Sequence, residues 1–146
     1  MLPTQVTTLL QPTILIHAYY KQNTPLFLSW LAIYSTSMLY HFSKIKYPQG
    51  IRTNTFLCTL DMFFCGILYI SALYDYGFRS RIERPYSDIC VLFHIFLPSF
   101  FIFSLKMNAF MWNPNSDISE LWYSFFHVLI YFDNHIYLYH SVIRKN

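Results

Sequence analysis

The sequence predicts an all-α membrane protein, a bundle of about four transmembrane helices with an N-terminal interfacial or re-entrant segment. Hydrophobic residues make up 55% of the 146 residues and charged residues only 12%, with a mean hydropathy of +0.32. Ordinary soluble domains are about 25% charged. The apolar residues are also gathered into runs of about 20 residues, the length of helix that crosses a bilayer.

Four apolar runs define the predicted spans within a single domain, residues 1–146. The spans are expected at about 22–43, 53–74, 89–106 and 120–143. Pro98 lies inside the third run and predicts a kink there. Because spans and short connections use nearly the whole chain, no soluble catalytic domain fits. An even number of spans places both ends of the chain on one side of the membrane.

The run Met1–Tyr20 is uncharged but is not predicted to be a fifth span. Pro3 and Pro12 interrupt it, together with several Thr and Gln residues. We therefore expect an interfacial or re-entrant segment. The run also lacks the basic start of a secretory signal, which favours internal targeting or synthesis inside an organelle.

Charge and cysteine usage exclude several partners and cofactors. The net charge of +3 is spread over the connections without a basic stripe, so no nucleic-acid partner is expected. The three cysteines lie in apolar runs and form no CxxC pair, so neither a disulfide framework nor a cysteine metal site is predicted. Basic residues at the membrane edge, including Arg144 and Lys145, suit anionic headgroups such as cardiolipin.

Three ionisable residues fall inside the apolar runs, where such groups are costly and are candidate functional sites. Asp61 lies about 13 Å inward from the Arg52 end of its span, at a rise of about 1.5 Å per residue. His127 lies about 10 Å inward from the same side, and His41 is in the last turn before it. The three are expected to meet. They then either hydrogen-bond between helices or bind zinc.

The order of these residues resembles that of the CREST superfamily, which includes alkaline ceramidases and the progestin and adipoQ receptors. Ser37–His41 has the form S-x-x-x-H, Asp61 follows in the next span, and His127 lies in the last. The resemblance implies that His41 and His127 are zinc ligands. It also implies that Asp61 orients a water near a lipid amide or ester, with Ser37 supporting this catalytic site.

The chain departs from that family in two ways. The first histidine of the family's last helix falls on Tyr123, and the family has seven spans where this chain has four. Tyrosine is a poor zinc ligand at neutral pH. We therefore expect a non-catalytic accessory or structural subunit, with no cofactor, in a multi-subunit membrane complex. The alternative is a reduced zinc-dependent lipid amidase or esterase.

The amino-acid composition also favours one cellular compartment. The chain is rich in aromatic residues (21%) and has only three glycines, as in membrane proteins encoded in divergent protist mitochondria. The expected setting is the mitochondrial inner membrane, in a respiratory-chain or ATP synthase assembly. The expected partners are other membrane subunits of a hetero-oligomeric complex and lipids.

Overall fold

Helices dominate the computed structural model, which describes residues 1–82 and 86–143 and is 80% helical. Six α-helices occur in this part of the chain: α1 (Pro3–Thr8), α2 (Gln11–Tyr20), α3 (Thr24–Ser43), α4 (Thr55–Tyr74), α5 (Tyr86–Lys106) and α6 (Asp117–His140). Four short strands occur between and after them: β1 (Ile45–Tyr47), β2 (Gly50–Arg52), β3 (Ser80–Ile82) and β4 (Ser141–Ile143). A π-helix, Asp75–Arg79, follows α4, and a 3-10 turn, Phe110–Trp112, precedes α6.

The predicted spans coincide closely with α3, α4, α5 and α6. Side-chain caps define three of the helix starts. Asn23, Asn54 and Ser116 each precede the first helical residue and accept a hydrogen bond from a backbone N–H three residues on. Such caps satisfy amide groups that have no partner within the helix. The polar residues between the apolar runs therefore set where the long helices begin.

Among the described residues, two helices are long and apolar enough to cross a membrane, judged by length and composition. They are Thr55–Phe78, which is α4 with most of the π-helix, and Tyr86–Lys106, which is α5. Only 22% and 24% of their apolar stretches are buried within the chain, whereas the core helix of a soluble protein is mostly buried. Their remaining apolar surface is of the kind that lipid or another protein covers.

The buried apolar side chains form two layers along the bundle. One layer is centred on Trp30 of α3, Leu68 of α4 and Leu138 of α6. The other is centred on aromatic residues near the opposite end of α3, where Tyr40, Tyr123 and Phe110 are almost fully buried. His41, Asp61 and His127 lie against Tyr123 of this second, aromatic layer.

The N-terminal segment lies along α6 from one end of that helix to the other. Thr4 donates a hydrogen bond of 2.6 Å to Glu120, in the first turn of α6. At the far end Lys21 Nζ donates to the carbonyl oxygen of Tyr139 at 3.0 Å. A re-entrant segment would return to the end at which it began, so the path along α6 does not fit the re-entrant form of the prediction.

Proline placement explains the difference. Pro3 and Pro12 occupy the first turns of α1 and α2, where proline removes no helical hydrogen bond. The prolines therefore divide the segment into two helices without preventing it from packing, and Ile14 and Ala18 are fully buried. The segment therefore runs the length of the bundle, in addition to the four long helices. As a result Thr4 and Ser141 lie at opposite ends of α6, whereas four spans alone would place them at the same end.

Two antiparallel strand pairs, which the sequence did not predict, close the ends of the bundle. β1 pairs with β2 between α3 and α4, and β3 pairs with β4. Gly50, the first residue of β2, has a φ of 135°, a conformation that favours glycine. Ile51 N–H donates to the carbonyl oxygen of Asn115 at 3.1 Å, so this hairpin lies against the start of α6. Arg144 and Lys145 lie outside the described residues.

Candidate metal centre

Three helices bring His41, Asp61 and His127 together. Each residue offers one ligand atom, and these atoms all lie within 4.8 Å of one another. The exposed fractions of the three residues are 0%, 0% and 7%. The structure thus unites, in one closed cluster, the three ionisable residues that the sequence singled out from α3, α4 and α6.

Hydroxyl groups hold the Asp61 carboxylate from both sides. Ser37 Oγ donates to Asp61 Oδ1 at 2.5 Å, as the S-x-x-x-H motif led us to expect. Tyr123 Oη donates to Asp61 Oδ2 at 2.8 Å, and Thr36 Oγ1 lies 3.3 Å from Oδ1. Hydrogen bonds to a buried carboxylate favour its charged form and fix its orientation. Thr36 was not predicted to belong to the site. The one sequence feature that could have indicated it is its position next to Ser37.

The histidine ring nitrogens are the unsatisfied atoms of the cluster. Both ring nitrogens of His41 and Nε2 of His127 are buried without a hydrogen-bond partner. His41 Nε2 lies 3.6 Å from Asp61 Oδ2, too far for a hydrogen bond. A buried polar atom without a partner is rare in folded proteins, and an ion bound between these side chains would satisfy one ring nitrogen of each histidine. Imidazole nitrogens with a carboxylate oxygen form a ligand set that suits zinc.

Tyr123 takes the place that the family resemblance assigns to a third histidine. Its ring meets those of His41 and His127 edge-on, with centroids 5.0 and 5.3 Å away. Because its hydroxyl is directed to Asp61, it supports the carboxylate. Tyr123 thus packs against both histidine rings of the cluster. Its phenol group binds zinc poorly.

A buried ion pair closes the cluster toward the β1–β2 end of the bundle. Lys44 pairs with Glu120, and their exposed fractions are only 5% and 2%. Lys44 Nζ also lies 4.3 Å from the centre of the Tyr40 ring and 5.3 Å from that of Tyr123. Burial lowers the pKa of Lys44, and the Glu120 carboxylate opposes that shift. The pairing was not predicted, although both residues flank predicted spans on the same side.

An apolar cavity of about 410 Å³ lies beside the cluster, between α4, α5 and α6. Met62 and Phe126, the residues next to Asp61 and His127 in sequence, line it together with Pro98 of α5. Met62 Sδ also lies 2.9 Å from the Tyr123 hydroxyl. The cavity is therefore adjacent to the ionisable residues, which themselves stay buried.

The chain matches no family model, no curated protein and no solved structure.

Proposed function

We propose that this chain is a multi-pass membrane protein, with α3, α4, α5 and α6 as its spans, that serves as a structural, non-catalytic subunit of a larger membrane assembly. The apolar and mostly uncovered faces of α4 and α5 support the membrane setting. Charged side chains such as Lys46, Asp117 and Lys106 lie at or beyond the ends of the long helices. The mitochondrial inner membrane is the compartment that its composition favours.

A stripe along α4 supports contact with another subunit. Phe56, Phe63 and Ile70 recur every seven residues, and their exposed fractions are 72%, 61% and 66%. Residues seven apart lie on one face of a helix, which is the spacing of helix–helix seams. We assign this stripe to packing against a helix of a neighbouring subunit, with anionic lipid at basic edge residues such as Lys46 and Arg52.

The size of the purified particle tests the subunit proposal. The full chain is isolated from its native membrane in mild detergent and is sized before and after chemical cross-linking. Stable partners should co-migrate with the wild-type chain, and Phe63→Ser on the stripe should release them. Leu39→Ser, an exposed apolar position on α3 and therefore off the stripe, is the control. Migration of the wild-type chain as a free particle of about 18 kDa plus detergent would contradict the proposal.

Within this framework His41, Asp61 and His127 hold a divalent metal ion, for which zinc is the best match. From the sequence alone no metal was favoured, and zinc at His41 and His127 was the alternative. The observation that carries this alternative is the set of buried, unpartnered ring nitrogens within 4.8 Å of a carboxylate oxygen. Since the ligands come from α3, α4 and α6, the ion would fasten three helices together.

Closure of the cluster favours a structural role for the ion. A catalytic zinc site has three protein ligands, the number that this cluster offers, but it also needs an open coordination position that substrate or water can reach. Here all three candidate ligands are buried, Tyr123 stands where a further histidine would be, and the Lys44–Glu120 pair covers one end. The metal therefore contributes to folding and helix packing in this proposal, as structural zinc sites do.

A zinc-dependent lipid amidase or esterase is the second candidate. The apolar cavity beside the cluster favours it, because a volume of about 410 Å³ suits an acyl chain. Bound zinc would polarise the scissile carbonyl and lower the pKa of a water. In this scheme Asp61 would orient the water, and Ser37 and Tyr123 would hold the Asp61 carboxylate in place.

Substrate turnover separates the two candidates. Zinc-loaded wild-type protein in detergent is incubated with long-chain acyl amides and esters, and released fatty acid is measured. The structural proposal expects no release above that of an Asp61→Ala variant. Release that Asp61→Ala abolishes, with zinc content unchanged, would establish the hydrolase instead.

A further inference from the structure

We infer that Thr7, in the N-terminal segment, is a positioning residue that holds the His127 ring with its Nε2 lone pair facing the cluster. The role of Thr7 in metal binding rests on the zinc proposal. The orientation and the tautomer of the His127 ring follow from the hydrogen bonds of Thr7 and do not depend on that proposal. It extends the site to α1, which lies outside the helices that carry the S-x-x-x-H, Asp and His residues.

The contacts of Thr7 Oγ1 favour one direction for its hydrogen bond with His127. Thr7 Oγ1 lies 3.0 Å from His127 Nδ1. The same oxygen lies 3.2 Å from the carbonyl oxygen of Thr4 and 3.3 Å from that of Pro3. A hydroxyl has one proton and two lone pairs, whereas a carbonyl oxygen can only accept. The hydroxyl proton is directed to the backbone, and His127 Nδ1–H donates to Thr7 Oγ1.

This arrangement selects one tautomer of His127. In a neutral imidazole one nitrogen donates and the other accepts, so an Nδ1–H leaves a lone pair on Nε2. His127 Nε2 is buried and has no hydrogen-bond partner, and it belongs to the ligand cluster with His41 and Asp61. The opposite tautomer would bury an N–H group without an acceptor, which is costly. Metal-binding histidines commonly donate their second ring N–H to a partner of this kind.

Two further contacts place Thr7 independently of His127. Thr4 donates to Glu120 at 2.6 Å, and Gln5 Nε2 donates to the carbonyl oxygen of His41 at 3.0 Å. These bonds join α1 to α6 and to α3. Because α1 is fixed at two points on either side of the cluster, the Thr7 hydroxyl is held in front of the His127 ring.

Nitrogen NMR of the histidine rings tests the inference on the full-length, metal-free protein in detergent. The ¹⁵N shifts of a neutral imidazole distinguish the Nδ1–H from the Nε2–H tautomer. We expect His127 of the wild-type chain to be Nδ1–H. Thr7→Val, which replaces the hydroxyl with a methyl group, should lose this preference, and Thr7→Ser, which keeps a hydroxyl, should retain it. Thr13→Val is the matched control, because Thr13 Oγ1 lies 3.1 Å from His135 Nε2, outside the cluster.

Zinc titration of the same proteins gives the second readout. Thr7→Val should weaken zinc binding by about 10- to 100-fold, the usual effect of losing a group that supports a ligand. Thr7→Ser and Thr13→Val should bind zinc as the wild type does. A wild-type His127 in the Nε2–H form would overturn the inference, even if Thr7→Val does not fold. Unchanged tautomer and affinity in folded Thr7→Val would overturn it as well.

The two proposals fail separately. If the wild-type chain binds no zinc but His127 is Nδ1–H only when residue 7 carries a hydroxyl, the zinc proposal fails and the positioning role of Thr7 stands. If the wild-type chain binds zinc, and folded Thr7→Val keeps both the zinc affinity and the His127 tautomer, the zinc proposal stands and the role of Thr7 is overturned.

Discussion

The hydroxyl of Tyr123 lies 2.8 Å from Asp61 Oδ2, and this hydrogen bond joins α6 to α4 inside the aromatic layer of the bundle. Its position is the one where the CREST resemblance places a third histidine. The side chain at residue 123 therefore decides whether the cluster offers two imidazoles or three. This relationship gives the first two predictions.

Tyr123→His should strengthen zinc binding. The new imidazole would lie against the rings of His41 and His127, whose centroids are 5.0 and 5.3 Å from that of Tyr123. We expect zinc affinity to rise by at least about tenfold, or about 1.4 kcal/mol, measured by competition with a chromophoric chelator. Leu121→His, an exposed substitution on the same helix, is the control. Equal or weaker binding by Tyr123→His would argue against the resemblance at this position.

Tyr123→Phe should destabilise the fold because it leaves a buried carboxylate oxygen without its donor. Losing a hydrogen bond to a charged group costs about 1.5–3 kcal/mol. Unfolding of the metal-free protein in mixed micelles measures the free energy. Tyr139→Phe, whose ring is exposed, should change it by less than about 0.5 kcal/mol. A Tyr123→Phe variant as stable as the wild type would show that the Tyr123–Asp61 contact contributes nothing.

The Lys44–Glu120 pair should behave as a buried ion pair. Removing one charge, in Lys44→Met or Glu120→Gln, strands the other in the core and should cost about 3–5 kcal/mol of unfolding free energy. The double variant should recover much of that loss. Lys46→Met breaks the exposed Lys46–Asp117 pair and should cost less than about 1 kcal/mol. Additive losses in the double variant would count against direct coupling of Lys44 and Glu120.

The path of the N-terminal segment predicts a labelling pattern. In a variant without the native cysteines, a cysteine ahead of Met1 and one at Gln49 should react from the same side of the membrane. Gln22→Cys should react from the opposite side, because Lys21 contacts the far end of α6. Reaction of the Gln22 and Gln49 positions from one side would show that the segment and α3 do not both run the depth of the bilayer.

The long helices and the members of the cluster could be predicted from the sequence because the signals are local. Charge-free runs indicated the positions of α3 to α6, and a constant rise per residue placed His41, Asp61 and His127 at one depth. Ser37 was found through its four-residue spacing from His41, which puts both on one helical face.

The contacts of the N-terminal segment could not be predicted in this way. The prolines of Met1–Tyr20 indicate interruption, but they do not indicate whether the resulting short helices pack inside the bundle or at its surface. The contact of Thr7 with His127 and that of Thr4 with Glu120 depend on which helix the N-terminal segment packs against. The hydrophobic periodicity of the sequence carries no information about such long-range packing. The β1–β2 hairpin was missed because its two strands are only three residues long.

The zinc content of the purified chain tests the central claim, a closed metal centre built from His41, Asp61 and His127. The full-length protein is produced with zinc supplied, dialysed in mild detergent and measured for metal per chain. We predict about one zinc in the wild type and in His140→Ala, and none in His41→Ala or His127→Ala. A wild-type chain without zinc, or His41→Ala and His127→Ala variants that retain it, would contradict the claim.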